Sequence, residues 1–217
     1  MDDIKVGVGI PNTGSINMET CVSIIEMIDG RLPLEFFFSR GSMLPYMRFK
    51  ITLDALKAKC THLLFVDSDM KFPRDTLQKL LSHKKDIVSV LYNTKENPPN
   101  SVVKFMDGDK RIVGGTFQRD DFPELFECYA VGFGCTLIDL KILEHIELPW
   151  YSFEWEVDKK NTQMTGEDVY FCVKARKAGF TTWCDPSIPT GHIGDYTYSQ
   201  RGNSLYAPLT QCRVHSL

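Results

Sequence analysis

The chain contains 217 residues, of which 43% are hydrophobic and 24% are charged. These proportions are ordinary for a globular protein, and the length is enough for one domain with a sizeable core. The formal net charge is −3 and no run of basic residues stands out, so neither nucleic acid nor an anionic membrane is an expected partner. We therefore predict a single domain over residues 1–217.

Nothing in the sequence predicts export or membrane insertion. The first residues lack a basic segment followed by an apolar one, and no stretch approaches the roughly 20 apolar residues of a membrane span. The seven cysteines are odd in number and include no C-x-x-C pair. We interpret them as mostly buried small residues in a reducing compartment, because a disulfide framework or zinc site would show paired spacing. The expected location is the cytoplasm.

The first part of the chain alternates strand and helix patterns. The predicted strands cover residues 4–10, 34–38, 61–66 and 87–91, and the predicted helices cover residues 18–28, 45–57 and 74–83. In the helix that begins at Pro45, Leu56 is expected to face the sheet and Arg48 to lie on the polar side. Strands that alternate with helices are typical of a parallel sheet with right-handed crossovers.

The pattern changes after Asn97 and Pro98. Short β-like runs separated by Gly- and Asp-rich turns predict antiparallel strands over residues 101–105, 111–113 and 125–131. A helix is predicted over residues 169–177, and the chain from Ile188 onward is predicted to form loops. The predicted fold is α/β, with a mixed, mostly parallel central sheet flanked by helices and a small antiparallel portion in the C-terminal half.

Two carboxylates, Asp67 and Asp69, follow directly after the predicted strand 61–66. That strand is a nearly continuous apolar run, as expected when both faces of a strand are covered. Ligands of open α/β sheets bind beyond the carboxyl ends of strands, and two acids separated by one residue suit Mg²⁺ or Mn²⁺. The alternative is that the acids only serve the next helix, since Pro73 and Asp75 mark a helix start.

Six sequence elements, taken in order, resemble those of a GT-A glycosyltransferase, and most closely the large inverting family that uses nucleotide-sugar donors. They are the strand ending at Pro11 and Asn12, the helix bearing Arg48, Asp67-Ser68-Asp69, the turn Val131-Gly132-Phe133-Gly134, the helix start Gly166-Glu167-Asp168, and Gly191-His192. The resemblance covers nearly the whole chain, from the first strand to His192. It implies one GT-A, Rossmann-like domain in which residues 1–100 bind the nucleotide sugar and residues 101–217 hold the acceptor and the catalytic groups.

The resemblance also implies a metal site. In that family the second acid of D-x-D usually contacts the metal, which assigns Asp69, while Asp67 shares the metal or holds the donor ribose. A C-terminal loop often supplies a third ligand, here His192. Because a neutral imidazole suits Mn²⁺ better than the strongly hydrated Mg²⁺, we expect Mn²⁺, with Mg²⁺ as the alternative. If no metal binds there, His192 is a partly exposed loop histidine.

Asp168 is the candidate catalytic base that the resemblance implies. An inverting transfer requires a carboxylate that removes the proton of the acceptor hydroxyl as its oxygen attacks. A helix N-terminus favours the ionised form of such a group, whereas burial disfavours it. Acids in a first helical turn are also common capping residues, so capping is the alternative, and Glu167 is the rival for the same catalytic role.

The donor is expected along the first strands, and the resemblance favours a UDP-sugar. The residues assigned to donor binding are Pro11, Asn12, Thr13, Ser39, Arg40, Arg48, Asp67, Ser68 and Asp69. The acceptor, a glycan or another hydroxyl compound, is expected near Gly132, Phe133, Gly134 and the aromatic residues Trp150, Tyr151, Phe153 and Trp155. The alternative is that these aromatic side chains only cover the sheet.

Three other functions share features with this sequence. A haloacid-dehalogenase-like phosphatase also has D-x-D after a strand, but its motif lies near the chain start and normally continues to Thr or Val, where this chain has Lys71. A sugar nucleotidyltransferase usually has a Gly-rich phosphate loop after its first strand, and residues 11–15 are a poor version of one. A non-catalytic nucleotide-sugar or glycan-binding module of the same fold stays open. The sequence leaves the oligomeric state open, and it does not decide firmly between inversion and retention.

Overall fold

The computed structural model describes residues 4–96, 99–108, 112–114, 124–157, 162–194 and 197–199. Its strands are β1 (Val6–Asn12), β2 (Leu34–Arg40), β3 (His62–Val66), β4 (Met70–Lys71), β5 (Ile87–Val90), β6 (Lys104–Met106), β7 (Ile112–Gly114), β8 (Phe126–Cys128), β9 (Cys135–Asp139), β10 (Glu154–Val157), β11 (Thr162–Thr165), β12 (Thr182–Asp185), β13 (Gly191–Ile193) and β14 (Thr197–Ser199). Its helices are α1 (Met18–Met27), α2 (Leu44–Lys57), α3 (Thr76–Ser82) and α4 (Glu167–Lys177), with a 3-10 helix at Leu140–His145.

A seven-stranded sheet in the order β2-β1-β3-β9-β5-β12-β8 organises the fold. Strands β2, β1, β3, β5 and β12 run in one direction, and only β9 and β8 pair antiparallel to their neighbours. The remaining strands form small antiparallel sheets: β6-β7, β10-β11 and β14-β13-β4. The predicted α/β fold, with a mostly parallel central sheet and a small antiparallel portion, is confirmed.

Helices cover both faces of the sheet. One hydrophobic cluster contains Ile51 from α2 and Phe171 from α4, and the other contains Ile24 from α1 and Leu77 from α3. Strand β3 supplies side chains to both clusters in alternation, with Leu63 and Phe65 on one face and Leu64 and Val66 on the other. All four are fully buried, which confirms that this strand is covered on both sides.

The polarity expected for α2 is wrong at two positions. Arg48, expected on the polar side, is only 1% exposed, while Leu56 is 36% exposed. The buried residues of the helix are Met47, Arg48, Ile51, Thr52 and Ala55, which recur every three or four positions as one helical face requires. Arg48 therefore lies in the middle of the face that packs on the sheet, where it needs charged partners.

Two parts of the C-terminal half differ from the predictions. Strand β9 was not predicted, although it lies between β3 and β5 in the centre of the sheet. The segment after Ile188 was predicted as loops, but β13 pairs with β4 and with β14. The predicted strand at residues 111–113 is observed from Ile112, and Arg111, Asn97 and Pro98 lie outside the described residues.

The six cysteines in the described part of the chain are free, and five of them are buried. Within the same residues, none of the helices has both the length and the apolar character needed to cross a membrane.

Candidate active site

Backbone hydrogen bonds to other segments hold the acidic loop between β3 and β4 in place. Asp67 N–H donates to the carbonyl of Gly134 (2.8 Å), and the carbonyls of Ser68 and Asp69 accept from the N–H groups of Asn17 (2.8 Å) and Ile193 (2.7 Å). These bonds join the loop to the turn before β9, to the start of α1 and to β13. Because three separate segments hold its backbone, the loop presents its two carboxylates from a defined position.

Arg48 is the centre of a buried ion-pair network. Its Nη2 donates to Oδ1 of Asp67 and its Nε donates to Oε1 of Glu167, each at 2.9 Å. The guanidinium carbon also lies 4.9 Å from the centre of the Phe65 ring and 5.6 Å from that of Phe133. Burial alone would lower the pKa of Arg48, but the charges of Asp67 and Glu167 outweigh it and raise that pKa. The arginine is thus permanently charged between two acids.

The Arg48 network gives the two acids at the start of α4, Glu167 and Asp168, different roles. Glu167 is 4% exposed and its Oε1 is bound to Arg48, so it holds a buried cation and does not face open space. Burial above all raises the pKa of Asp67, the charges of Asp69 and Glu167 add to this, and Arg48 opposes it. Of the two predicted base candidates, Glu167 has the contacts of a structural residue.

Asp168 lies beside a cavity of about 350 Å³ that is also lined by Lys104, Met164, Gly166 and Val169. Its Oδ1 accepts the N–H of Val169 at 2.7 Å. A Cβ on Gly166 would lie 2.9 Å from that oxygen, so a glycine leaves room for the carboxylate. Burial, with the charge of Glu167 next in weight, raises the pKa of Asp168 to about 6, whereas Arg48 and the Val169 N–H oppose the rise. A carboxylate with this pKa is suited to accept a proton near neutral pH.

Asp69 carries a different set of partners from Asp67. Its Oδ2 contacts Nζ of Lys95, and its Oδ1 lies 3.4 Å from Nε2 of His192. Burial would raise the pKa of Asp69, but the hydrogen bonds with His192 and Lys95 prevail and lower it. Lys95 was not singled out from the sequence, where it is a lone lysine with no pattern around it.

The orientation of His192 follows from its second ring nitrogen. Nδ1 lies 2.9 Å from the carbonyl oxygen of Asn93, and since that oxygen can only accept, Nδ1 carries the proton. With Nδ1 protonated, Nε2 donates a hydrogen bond to Asp69 when the ring carries both protons, and it offers a lone pair to a cation when the ring is neutral. Strand pairing brings the two residues together, because His192 is opposite Met70, the residue after Asp69. A ring held by a backbone carbonyl is a common arrangement for a metal-binding histidine.

The expected three-residue metal site is not assembled in full. Within the part of the chain that the structure describes, no group of three His, Cys, Asp or Glu side chains could hold a metal ion. Asp69 and His192 form a pair, while Oδ1 of Asp67 is bound to Arg48. A carboxylate and an imidazole suit a divalent cation that completes its shell with water and phosphate oxygens, so the residues fit such an ion as two ligands. The metal and its identity stay a prediction.

The residues assigned to the donor nucleotide meet at one edge of the sheet. Pro11 pairs with Ser39 and Asn12 with Arg40 at the carboxyl ends of β1 and β2. Oδ1 of Asn12 accepts the N–H of Gly14 at 3.0 Å, which closes a turn that contains the exposed Thr13. Gly14 has φ of 131°, and a Cβ there would lie 3.2 Å from the guanidinium of Arg40. Pro11 and Ser39 are buried, so Thr13 and Arg40 are the side chains of this edge that face solvent.

One assignment near the acceptor, that of Phe133, needs correction. The Phe133 side chain is 1% exposed and packs against Phe65 and Phe171, so it cannot contact an acceptor sugar. The glycines on either side of it accommodate Tyr92: a Cβ on Gly132 or Gly134 would lie 2.3 Å or 2.7 Å from the Tyr92 hydroxyl. That hydroxyl accepts the N–H of Gly134 at 2.8 Å. A backbone approach of these glycines to the sugar stays a prediction.

The aromatic segment before β11 divides into buried and exposed residues. Trp150 and Tyr151 are buried and belong to the core, as the alternative interpretation expected. Trp155 is 61% exposed and pairs across the β10-β11 hairpin with Met164, a residue that lines the cavity beside Asp168. Trp155 therefore lies on the hairpin that borders this cavity, where an aromatic ring suits the apolar face of a sugar.

Comparison with solved structures supports the fold. The crystal structure of A197 from STIV is similar to this chain with a TM-score of 0.58 and 20% sequence identity, over 88% of this chain and 86% of that one. At this identity the similarity concerns the fold alone. A 4-diphosphocytidyl-2C-methyl-D-erythritol synthase from Anaerococcus prevotii (TM-score 0.39, 12% identity, 65% of this chain and 73% of that chain) and residues 1–349 of TarS from S. aureus (0.42, 15%, 90% and 60%) are more distant and support no conclusion. No protein-family model and no curated protein matches the sequence.

Proposed function

We propose that this protein is a glycosyltransferase that moves a sugar from a nucleoside diphosphate sugar, with a UDP-sugar favoured, to a hydroxyl group of a glycan or another acceptor, with inversion at the anomeric carbon. One observation carries the proposal. The Asp69–His192 pair at the carboxyl end of β3 and the cavity beside Asp168 belong to one connected site, because Arg48 binds both Asp67 and Glu167. The site thus combines a place for a diphosphate-bound cation with a separate base.

Asp168 is the group proposed to accept the proton. The acceptor oxygen attacks the anomeric carbon and forms the new C–O bond, while the bond from that carbon to the phosphate oxygen breaks and its electron pair stays on the departing diphosphate. The acceptor proton passes to Asp168, whose raised pKa of about 6 leaves it ionised yet basic at neutral pH. Its ionised form is also held by the N–H of Val169.

Asp69 and His192 are the proposed ligands on the donor side. A divalent cation bound there would neutralise the charge that develops on the diphosphate, acting as a Lewis acid without proton transfer. The carbonyl of Asn93 keeps Nδ1 of His192 protonated and so leaves Nε2 for the cation. Ile193 N–H fixes the backbone of Asp69, which keeps its carboxylate at the same place when the ligand changes.

The acceptor is proposed to enter the cavity beside Asp168, which lies between the β6-β7 pair on one side and the end of β11 with the start of α4 on the other. Met164 and Val169 give this cavity apolar walls, and Thr165 and Lys104 add polar groups beside Asp168. The exposed ring of Trp155 on the same hairpin suits stacking on a sugar face. This combination of apolar walls and a few polar groups is typical of a small-molecule site.

The deciding experiment is a thermal-shift screen of nucleotide diphosphate sugars with Mn²⁺ and with chelator, followed by a transfer or donor-hydrolysis assay for each stabilising compound. A ligand at about 100 times its dissociation constant stabilises the fold by roughly 2.7 kcal/mol, which a melting curve resolves. Asp69→Asn should abolish the Mn²⁺-dependent part of donor binding. Asp75→Asn is the matched control, because Asp75 is exposed at the start of α3 and pairs only with Lys79 among the described residues.

The same screen separates the remaining functions. Equal donor affinity with and without metal in the intact protein would overturn the metal-dependent assignment. Binding without transfer or hydrolysis would indicate a non-catalytic binding module, and pyrophosphate release from a nucleoside triphosphate with a sugar phosphate would indicate a nucleotidyltransferase. The configuration of the product, measured by NMR, distinguishes inversion from retention.

A further inference from the structure

Lys95 and His192 bind opposite oxygens of the same carboxylate. Nζ of Lys95 contacts Oδ2 of Asp69, and Nε2 of His192 lies on the Oδ1 side at 3.4 Å. Both contacts depend on the segment after β5: Lys95 belongs to it, and the carbonyl of Asn93 in the same segment holds Nδ1 of His192. The ammonium group of Lys95 thus lies on the Oδ2 side of Asp69, next to the proposed cation site.

A divalent cation and Lys95 compete for Asp69. The carboxylate carries one negative charge, and a cation placed between Asp69 and His192 repels an ammonium group on the same carboxylate. The ion pair is partly exposed, with side-chain exposures of 35% for Lys95 and 32% for Asp69. An ion pair this exposed contributes little to stability, so replacing Lys95 by a cation at Asp69 costs little free energy.

The displaced ammonium group has one favourable destination. Within the described residues Asp69 is the carboxylate that lies within ion-pair distance of Lys95, so no second acid there takes the ammonium when a cation occupies Asp69. A diphosphate bound to that cation brings several anionic oxygens to the same place. A lysine is a flexible point charge that suits phosphate, and a hydrogen bond between charged partners is stronger than one between neutral groups.

We infer that Lys95 is a diphosphate-binding residue of this site, which neutralises Asp69 in the metal-free protein and moves to the leaving diphosphate when a cation binds. The inference rests on the proposed function and adds a residue that touches the substrate. In the transfer step, the ammonium stabilises the electron pair that the broken bond leaves on the phosphate oxygen, and its own protons stay in place.

The test uses Mn²⁺ and inorganic pyrophosphate as separate probes, measured by calorimetry on the full chain, so that neither the base nor the sugar of the donor matters. In Lys95→Met, Mn²⁺ alone should bind about 2- to 5-fold more tightly, because an exposed ion pair no longer competes. Pyrophosphate with saturating Mn²⁺ should bind about 10-fold more weakly or worse, because a charge-assisted hydrogen bond is lost. Lys95→Arg should restore most of the pyrophosphate affinity.

Lys79→Met is the matched control, since Lys79 forms an ion pair with Asp75 on α3 and should change neither affinity. Opposite changes in the two affinities support the inference, because general damage to the site would weaken both. Unchanged or weaker Mn²⁺ binding, or unchanged pyrophosphate binding, in Lys95→Met overturns it while the proposed function stands. If the unmodified protein binds neither Mn²⁺ nor pyrophosphate, the proposed function and the proposed role of Lys95 are both wrong.

Discussion

Nε of Arg48 lies 2.9 Å from Oε1 of Glu167, although 119 positions separate the two residues in the chain. The same guanidinium binds Asp67 through Nη2. Helix α2 therefore contributes a buried cation that connects the end of β3, where the acidic loop begins, to the start of α4, where Asp168 lies. One buried side chain thus connects the proposed donor site to the proposed base, and the donor contact predicted for Arg48 would require this ion-pair network to open.

Arg48→Met should destabilise the fold strongly. The substitution leaves the carboxylates of Asp67 and Glu167 without their cation, and loss of one partner from a buried ion pair typically costs about 3–5 kcal/mol. Urea unfolding measured by circular dichroism gives this difference. Lys50→Met on the same helix is the control: Lys50 pairs with Asp54 at 3.3 Å on the exposed side, and its loss should cost less than about 0.5 kcal/mol.

If Arg48→Met and Lys50→Met destabilise equally, Arg48 does not hold the two acids. A double variant sharpens the result. Arg48→Met combined with Glu167→Gln removes one of the two unpaired charges and should recover part of the lost stability. No recovery would mean that the cost comes from lost packing against Phe65 and Phe133 and not from unpaired carboxylates.

The elements that could be predicted from the sequence are those with a local periodic pattern. Helix α1, strand β2 and strand β3 lie within a few residues of their predicted positions, because hydrophobic spacing and turn residues define them locally. Strand β9 could not be found in this way. It pairs with β3, some 70 positions earlier in the chain, and no local feature predicts such a partner.

The same distinction holds for the site. The position of Asp69 at the end of a strand, and of Asp168 at the start of a helix, follows from local sequence. The buried state of Arg48 does not, since its two partners lie 19 and 119 positions away. Lys95 and the β13 strand that carries His192 escaped prediction for the same reason, because only tertiary contacts bring them to Asp69.

His192→Ala should weaken Mn²⁺ binding by about 10- to 100-fold while the melting temperature without metal stays close to that of the unmodified protein. The reason is that Nε2 of His192 lies 3.4 Å from Oδ1 of Asp69, where it is the proposed second protein ligand of the cation. Calorimetric titration with Mn²⁺ measures the change, and His145→Ala, which removes an exposed histidine outside the site, is the control. An identical titration for His192→Ala and the unmodified protein would leave His192 with no role in metal binding.

The turnover rate should depend on the protonation of Asp168. Burial and the charge of Glu167 raise the pKa of Asp168 to about 6, and a base works only when it is ionised. With the donor identified by the screen, kcat should therefore be constant at neutral pH and fall about tenfold per unit below pH of about 6. A rate that stays constant down to pH of about 4.5, in protein that stays folded, would exclude Asp168 as the base.

Folding stability should change over the same interval, with a sign that follows from the direction of the shift. The pKa of Asp168 is higher in the folded protein, at about 6, than its ordinary value of 3.8, so the folded state holds the proton more tightly between these values. The stabilisation is fully present below the ordinary pKa and is lost as the pH rises through about 6. Asp168→Asn should remove this contribution, as urea unfolding at several pH values would show.

Asp168→Asn should lower turnover without weakening the binding of nucleotide or Mn²⁺. Asparagine keeps the size of the side chain and an oxygen that can accept the N–H of Val169, so the capping contact survives while the basic group is lost. Loss of a general base typically lowers kcat by about 10²- to 10⁴-fold. Rapid-quench turnover, with nucleotide binding measured in parallel by calorimetry, separates the two quantities.

A residue that only capped α4 would give the opposite result, with lower stability and near-normal turnover in the folded fraction. Transfer at the original rate would mean that the base is elsewhere, with Glu167 as the next candidate, or that the enzyme retains configuration and uses no such base.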